Sequence, residues 1–273
     1  MPDTKRRFTY TWEQLERLLF GIYNSEVTPG RLPKNLVRET NDFLQLGVDD
    51  GNVLFGVPDP RLTEALKENI FKFSSARVFT ETYEMSNALV GENGELRSFN
   101  EFKKVAEHIH YKYCGVPLSE NANYGYLTTE YNTAVGQTQS AQKWREIEKN
   151  KIILPYLRYD AVGDENTCAV CGPLDNITLP VIDSFWTTHS PCNHFQCRCV
   201  LVQLEKEDGE VARTEKDVVK ERMAKSNVQE EFKFNPGIQR EVFSTTGKSK
   251  HPYFMIPKEY IKFAKKNFNL AVN

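Results

Sequence analysis

The chain has 273 residues, 40% hydrophobic and 12% aromatic, enough to bury a core as one large domain or two small ones and too much for wholesale disorder. Its 35 Lys and Arg against 37 Asp and Glu leave a formal net charge of -2, which excludes a chain-wide attraction to nucleic acid or to an anionic membrane. No apolar run reaches the roughly 18 residues of a membrane-spanning helix, and the basic start Met1–Arg7 leads into no apolar stretch, so neither a span nor a signal peptide is expected. Synthesis in a reducing cytosol follows from that reading, and there clustered cysteines favour metal over disulfide.

Thr11 and Gln14 form a capping box ahead of Leu15, Leu18, Leu19 and Ile22, which predicts a first helix over 11–23. Thr28-Pro29-Gly30 and Leu32-Pro33 break the chain, and a second helix is expected over 34–46, stopped at Gly47. Asp59-Pro60 opens a third with Leu62, Leu66 and Ile70 on one face, and a fourth is expected over 75–89. Ser98 and Glu101 cap a fifth that carries Phe99, Phe102, Val105 and Ile109 inward; its His108 and His110 read as surface or core-edge residues. A sixth runs from about 123 to 150, so residues 1–150 are expected to form a mainly helical domain. Beyond Asn150 the pattern changes: short strands at 152–159, 177–181 and 197–204 predict a small β-rich module over 151–204. On the last of these, alternation puts Cys197, Cys199 and Leu201 on one face. Residues 205–225 read as an exposed charged helix, and 205–273 as that helix followed by an extended aromatic and basic tail. The expected fold class is therefore α+β, a helical N-terminal half followed by a small β-rich module and a tail.

Five of the six cysteines and two of the five histidines fall between Cys168 and Cys199. Cys168-x2-Cys171 is the knuckle spacing that lets two thiolates reach one tetrahedral ion, and His194-x2-Cys197 can close the site. Cys199 can replace Cys197 as the fourth ligand, because alternate strand residues point the same way. Mixed thiolate and imidazole ligands select Zn2+, and four protein ligands leave no open position for catalysis, so a structural zinc is expected. Such an ion is worth roughly 10–16 kcal/mol in small modules, the scale of a whole domain's stability. Cys114 reads as a small buried hydrophobe. From Asp160 to Cys199 the acids Asp160, Asp164, Glu165, Asp175 and Asp183 face the single cation Arg198, the wrong balance for a finger that grips phosphates.

Val162-Gly163-Asp164-Glu165, Leu174-Asp175, Asp183-Ser184-Phe185-Trp186, Pro191 and Cys197-Arg198-Cys199 form an ordered set. With Thr129–Val135 and Lys143-Trp144 upstream, they resemble the phage Mu F-like (MuF) head morphogenesis family of minor capsid proteins over roughly residues 70–205. Asn176 stands where that family usually has Gly, a mild departure because Asn tolerates a left-handed turn. A branch of the family has Arg and His at the positions of Cys168 and Cys171, so the metal is not indispensable to the fold. The resemblance implies a virion component at the portal vertex, made in the host cytoplasm, that binds portal protein and other head proteins and assists head assembly and DNA packaging. Phe185 and Trp186 are expected to cover the cluster.

Two other functions stand as alternatives. MuF modules resemble those joined to toxin or transferase domains in some phages, yet 205–273 is too short for a typical catalytic domain and holds no H-E-x-x-H, G-x-S-x-G or P-loop word. A non-enzymatic role is therefore expected. Contact with packaged DNA is the other alternative, through the basic C-terminal run Lys248, Lys250, Lys258, Lys262, Lys265 and Lys266.

Overall fold

A computed structural model describes residues 10–114, 126–163 and 169–268 of the protein. Cys168, Asp164 and Glu165 lie outside the described residues. The nine helices among those described are α1 (Trp12–Tyr23), α2 (Lys34–Phe55), α3 (Pro60–Asn87), α4 (Phe99–Cys114), α5 (Tyr126–Asn150), α6 (Lys206–Ala212), α7 (Lys216–Ser226), α8 (Pro236–Gln239) and α9 (Ile261–Phe268). Three strands, β1 (Tyr156–Asp160), β2 (Thr178–Pro180) and β3 (Val200–Leu204), form one antiparallel sheet in the order β2-β1-β3. Helices and sheet are segregated along the chain, as an α+β fold requires. None of the described helices is long and apolar enough to cross a membrane.

The chain divides into two compact units. One holds the residues up to Leu46, Ile70–Tyr131 and those from Pro252 on; the other holds Gly47–Asn69 and Asn132–His251. In the first, the Thr11 hydroxyl accepts from the Gln14 amide at 3.2 Å and the Gln14 side chain accepts from the Thr11 amide at 2.8 Å, so α1 starts where its capping box places it. Its Leu15, Leu18, Leu19 and Ile22 are buried with Leu36, Val78, Met85, Phe102 and Ala106. Each such side chain contributes about 1.5–3 kcal/mol by leaving water. On α4 the buried stripe is Phe102, Ala106, His110 and Tyr113, whereas Val105 is exposed. His110 is fully buried, which corrects its reading as a surface or core-edge residue.

The reason lies beside it. Arg77 and Glu81 on α3, His110 on α4 and Glu130 on α5 form a buried charge cluster in which Arg77 Nε donates to Glu130 at 2.7 Å and His110 Nδ1 lies 2.6 Å from Glu81. Cys114 sits 3.7 Å from the same guanidinium, so Arg77 already supplies the cation that this group of acids would otherwise draw from a metal. Burial works against the charge on Arg77, but Glu130, Cys114, Tyr253 and Glu81 more than offset it and hold its pKa well above the ordinary value. Burial pushes the Cys114 thiol up, so it stays protonated.

The second unit carries the sheet. Leu157 and Tyr159 of β1 and Leu201 of β3 point into a core shared with Trp144, Ile147, Leu174, Leu179 and Trp186. β3 begins at Val200 and pairs Tyr156 with Leu204 and Asp160 with Val200, so Cys197 and Cys199 precede the strand rather than lie on it. The expected strand over 152–159 starts only at Tyr156, because Ile152 and Ile153 occupy a turn and are exposed. Residues 205–225 form two helices, and between them the Thr214 amide donates to the Thr178 carbonyl while the Thr214 hydroxyl accepts from the Thr178 amide, closing the free edge of β2. Part of the predicted tail returns to this core: Val219, Val228 and Phe232 are buried in it, and Asn235 Nδ2 donates to the Trp186 carbonyl at 3.0 Å.

Candidate metal centre

Cys171 closes a turn and leads into a 3-10 turn, Gly172–Leu174, whose Leu174 is buried beneath the sheet. The turn is tied down on two sides. Asp175 Oδ1 accepts from the Ala161 amide at 2.9 Å, and Arg222 donates to the Asp175 carbonyl at 2.8 Å. Asn176 takes φ 59°, the left-handed conformation that explains why Asn serves where Gly is usual. Its amide then donates to Tyr159 O, returning the chain to β1.

The second arm is a tight turn in which the Cys197 amide donates to His194 O at 3.3 Å, with Gln196 left-handed at φ 58°. This turn brings the ligand atoms of Cys171, His194 and Cys197 within 4.8 Å of one another. The Cys171 and Cys197 sulfurs are 3.7 Å apart. Two thiolates at about 2.3 Å from a tetrahedral zinc stand about 3.8 Å apart, whereas a disulfide needs about 2.05 Å. This pair has the spacing of a shared ion rather than of a disulfide. Cys199 hydrogen-bonds both sulfurs and takes a further bond from the Val162 backbone, so it belongs to the same set.

The surroundings also fit. Tyr159 donates its hydroxyl to Cys171 Sγ at 3.2 Å and accepts from Asn193 Nδ2 at 2.9 Å, an oriented partner behind a ligand. His194 Nδ1 lies 2.7 Å from Phe195 O; donating its proton there leaves the Nε2 lone pair as the metal-binding nitrogen. Hydrogen bonds from Cys171, Cys192 and Cys199 hold the Cys197 thiol below its ordinary range, while the bond to Cys197 raises Cys171.

Of the sequence-predicted site residues, the structure brings together Cys171, His194, Cys197 and Cys199, and Cys168 lies outside the described residues. Cys192 lies beside this set: it hydrogen-bonds the Cys197 sulfur, contacts Cys197 O at 3.6 Å and Ser140 Oγ at 3.9 Å, and lines a cavity of about 390 Å³ with Leu54, Phe55, Lys143 and Arg198. Gly136 makes room for it, since a Cβ there would stand 2.9 Å from Cys192 Sγ. His189 stacks on Phe185 and is lowered to about 4, by burial first and then by Lys233, so it is neutral at pH 7. Phe185 and Trp186 share the core with Cys171 and Cys197, as expected, and Trp186 Nε1 donates to Pro180 O. Sequence reasoning missed Tyr159 and Asn193. Tyr159 alternates with Leu157 on the inward face of β1, a signal that marks burial but not the bond to sulfur.

This geometry lies within a recognisable segment. Residues 100–202 match the family model described as Phage Mu protein F like protein, and the similarity of this segment is to that family. Among curated proteins, the chain is 33% identical over 73 residues, 27% of its length, to "Putative capsid assembly protein F" of Escherichia phage Mu. The match covers 17% of that relative, so the chain spans well under two thirds of its length. No solved structure matches.

Proposed function

We propose that this chain is a phage head morphogenesis protein, a minor capsid component that binds other head proteins and the portal, and that it acts without catalysing a reaction. The observation that carries this reading is the match over residues 100–202, together with the name of the phage Mu relative. In this reading 1–150 is the partner-binding arm, and 151–204 is a rigid end clipped by a structural Zn2+. Cys171, His194, Cys197 and Cys199 would hold that ion, with Cys168 able to take the place of Cys199. The closed donor set supports a structural role, since a catalytic zinc keeps one position open for water or substrate. Bound there, the ion would neutralise the thiolates and fix both turns against β1.

Co-expression with cognate portal and major head proteins, followed by pull-down and by analysis of purified heads, tests the reading. Capture by the portal and presence in heads are expected; absence from both overturns it. Packaged DNA is a weaker alternative partner, favoured by the exposed lysines Lys258, Lys262, Lys265 and Lys266 near the C-terminal end. Retention of duplex DNA at physiological salt, lost when these four are changed to Glu, would promote it.

A further inference from the structure

The helical unit contains a concave site of about 500 Å³ that the clip does not use. That is the size range of cavities enclosing a drug-sized ligand or a few side chains, about 300–1,000 Å³. One wall is a single stripe of α2, Lys34, Val37, Arg38 and Asn41, at the i, i+3, i+4, i+7 spacing of a helix face. Phe71 and Ser75, one turn apart on α3, form the floor, and Phe263 of α9 and Leu32 close the ends.

Two features of these residues describe an occupant. The lining is apolar at its base: Leu32, Val37, Phe71 and Phe263 face it, and Phe71 is left 46% exposed. The rim is cationic: Arg31, Lys34 and Arg38 are exposed, and Arg31 and Lys34 form no ion pair among the described residues. Arg38 pairs with its neighbour Glu39 at 3.7 Å, on the surface, where such a pair is worth little. Lys262 and Lys266, on the same helix as Phe263, extend the positive charge.

We propose that this groove binds an acidic amphipathic segment of another protein, whose apolar side chains enter between Val37, Phe71 and Phe263 while its carboxylates meet Arg31, Lys34 and Arg38. An apolar trough with a charged rim is the form in which helices dock into grooves. Duplex DNA presents phosphates on a convex surface and has no apolar knob to fill the trough, so charge and shape together favour the peptide. The groove is read from its own residues, and its failure to bind leaves the head-assembly reading standing.

The test uses the full chain and a fluorescein-labelled Glu-rich peptide with Leu and Phe at i, i+3, i+4 and i+7, followed by fluorescence anisotropy. A scrambled peptide of equal composition and a labelled DNA duplex are the comparison probes. The patterned peptide is expected to bind, to weaken as salt rises, and to lose about tenfold or more in affinity in K34E/R38E. Lys104→Glu, an exposed charge reversal on α4, is expected to leave affinity within about twofold. Phe71→Ala, at an exposed position, gives a second variant should the charge reversal fail to fold, and it is expected to weaken binding similarly. Equal binding of the scrambled peptide, binding of the duplex in preference through the same residues, self-association lost in the same variants, or binding unchanged by them each overturns the proposal. So does the absence of peptide binding.

Discussion

Tyr159 connects the core to the candidate metal centre through one hydroxyl, which donates to Cys171 and accepts from Asn193. Removing it leaves all sulfurs in place. Tyr159→Phe is therefore expected to keep the ion but weaken its affinity on the order of 10–100-fold, measured by chelator competition, because oriented partners behind a ligand carry that much. Cys192→Ser keeps a hydrogen-bond donor beside Cys197 and is expected to change affinity little, since Cys192 is not among the grouped ligand residues. His251 is a different kind of residue: buried against Phe243, it is lowered to about 3 by desolvation. In the unfolded chain a histidine protonates below about 6.5, so the folded state is penalised as pH falls from 6.5 towards 3 and unaffected above 6.5. At pH 5 this amounts to about 2 kcal/mol. Thermal or urea melts at pH 7 and 5 should show His251→Gln losing less stability on acidification than the parent; equal losses would remove His251 from the account. At this scale residue type and spacing let the sequence carry the grouping of Cys171, His194, Cys197 and Cys199, which lie together in the fold. It did not carry what stands behind them, because Asn193 and Tyr159 look like any polar loop residue and any strand aromatic.

At the scale of elements, the helices outrun the punctuation that seemed to end them. α2 continues through Gly47 to Phe55, and the third and fourth expected helices are one, α3. Gly47 was read as a stop because glycine commonly follows a helix. Gly51, a turn further on, shows what such glycines do here: a Cβ would stand 2.7 Å from Val135 O and 2.8 Å from Thr138 Cβ, so α2 meets α5 at backbone distance. Gln142 of α5 bonds Asn52 across the same contact at 2.9 Å. Gly51→Ala should cost about 1–3 kcal/mol, as overpacking does. Gly237→Ala, whose Cβ would fall 2.3 Å from Trp144 Cβ, should cost at least as much. Gly172→Ala meets nothing within 4 Å and should be near neutral; a similar loss in all three, by urea unfolding, would contradict the packing described. Such close approaches are partnerships between segments far apart in the chain, and a local pattern of glycines holds no record of them. The capping boxes at Thr11 and Ser98 were legible because both halves lie within one turn.

The whole molecule is two units, each with its own cluster of polar and titratable side chains. In the helical unit the cluster of Arg77, Glu81, His110 and Glu130 is reached from the C-terminal end as well, since Tyr253 donates to Glu130 at 3.0 Å and packs on Phe73. Residues 252–263 are thus part of that unit's core: Phe79 meets Tyr260 edge-on at 5.3 Å. A tail read from its lysines as an appendage is, by its aromatics, a structural segment. Breaking the cluster from one side strands buried charge, so Arg77→Met should cost about 3–5 kcal/mol. Joint replacement with Glu130→Gln should recover part of it; strict additivity in a double-mutant cycle would show the two to be uncoupled. In the unit that holds the sheet, three short strands and two pinned turns close around Cys171, His194, Cys197 and Cys199, and the central claim is that one zinc ion completes them. Metal analysis of freshly purified, reduced protein should give one zinc per chain. Cys171→Ser and Cys197→Ser should each abolish it and lower the melting temperature, with Cys199→Ser and Cys168→Ser deciding the fourth ligand. A zinc content near zero in the parent chain, with a melting temperature indifferent to chelator, would contradict it.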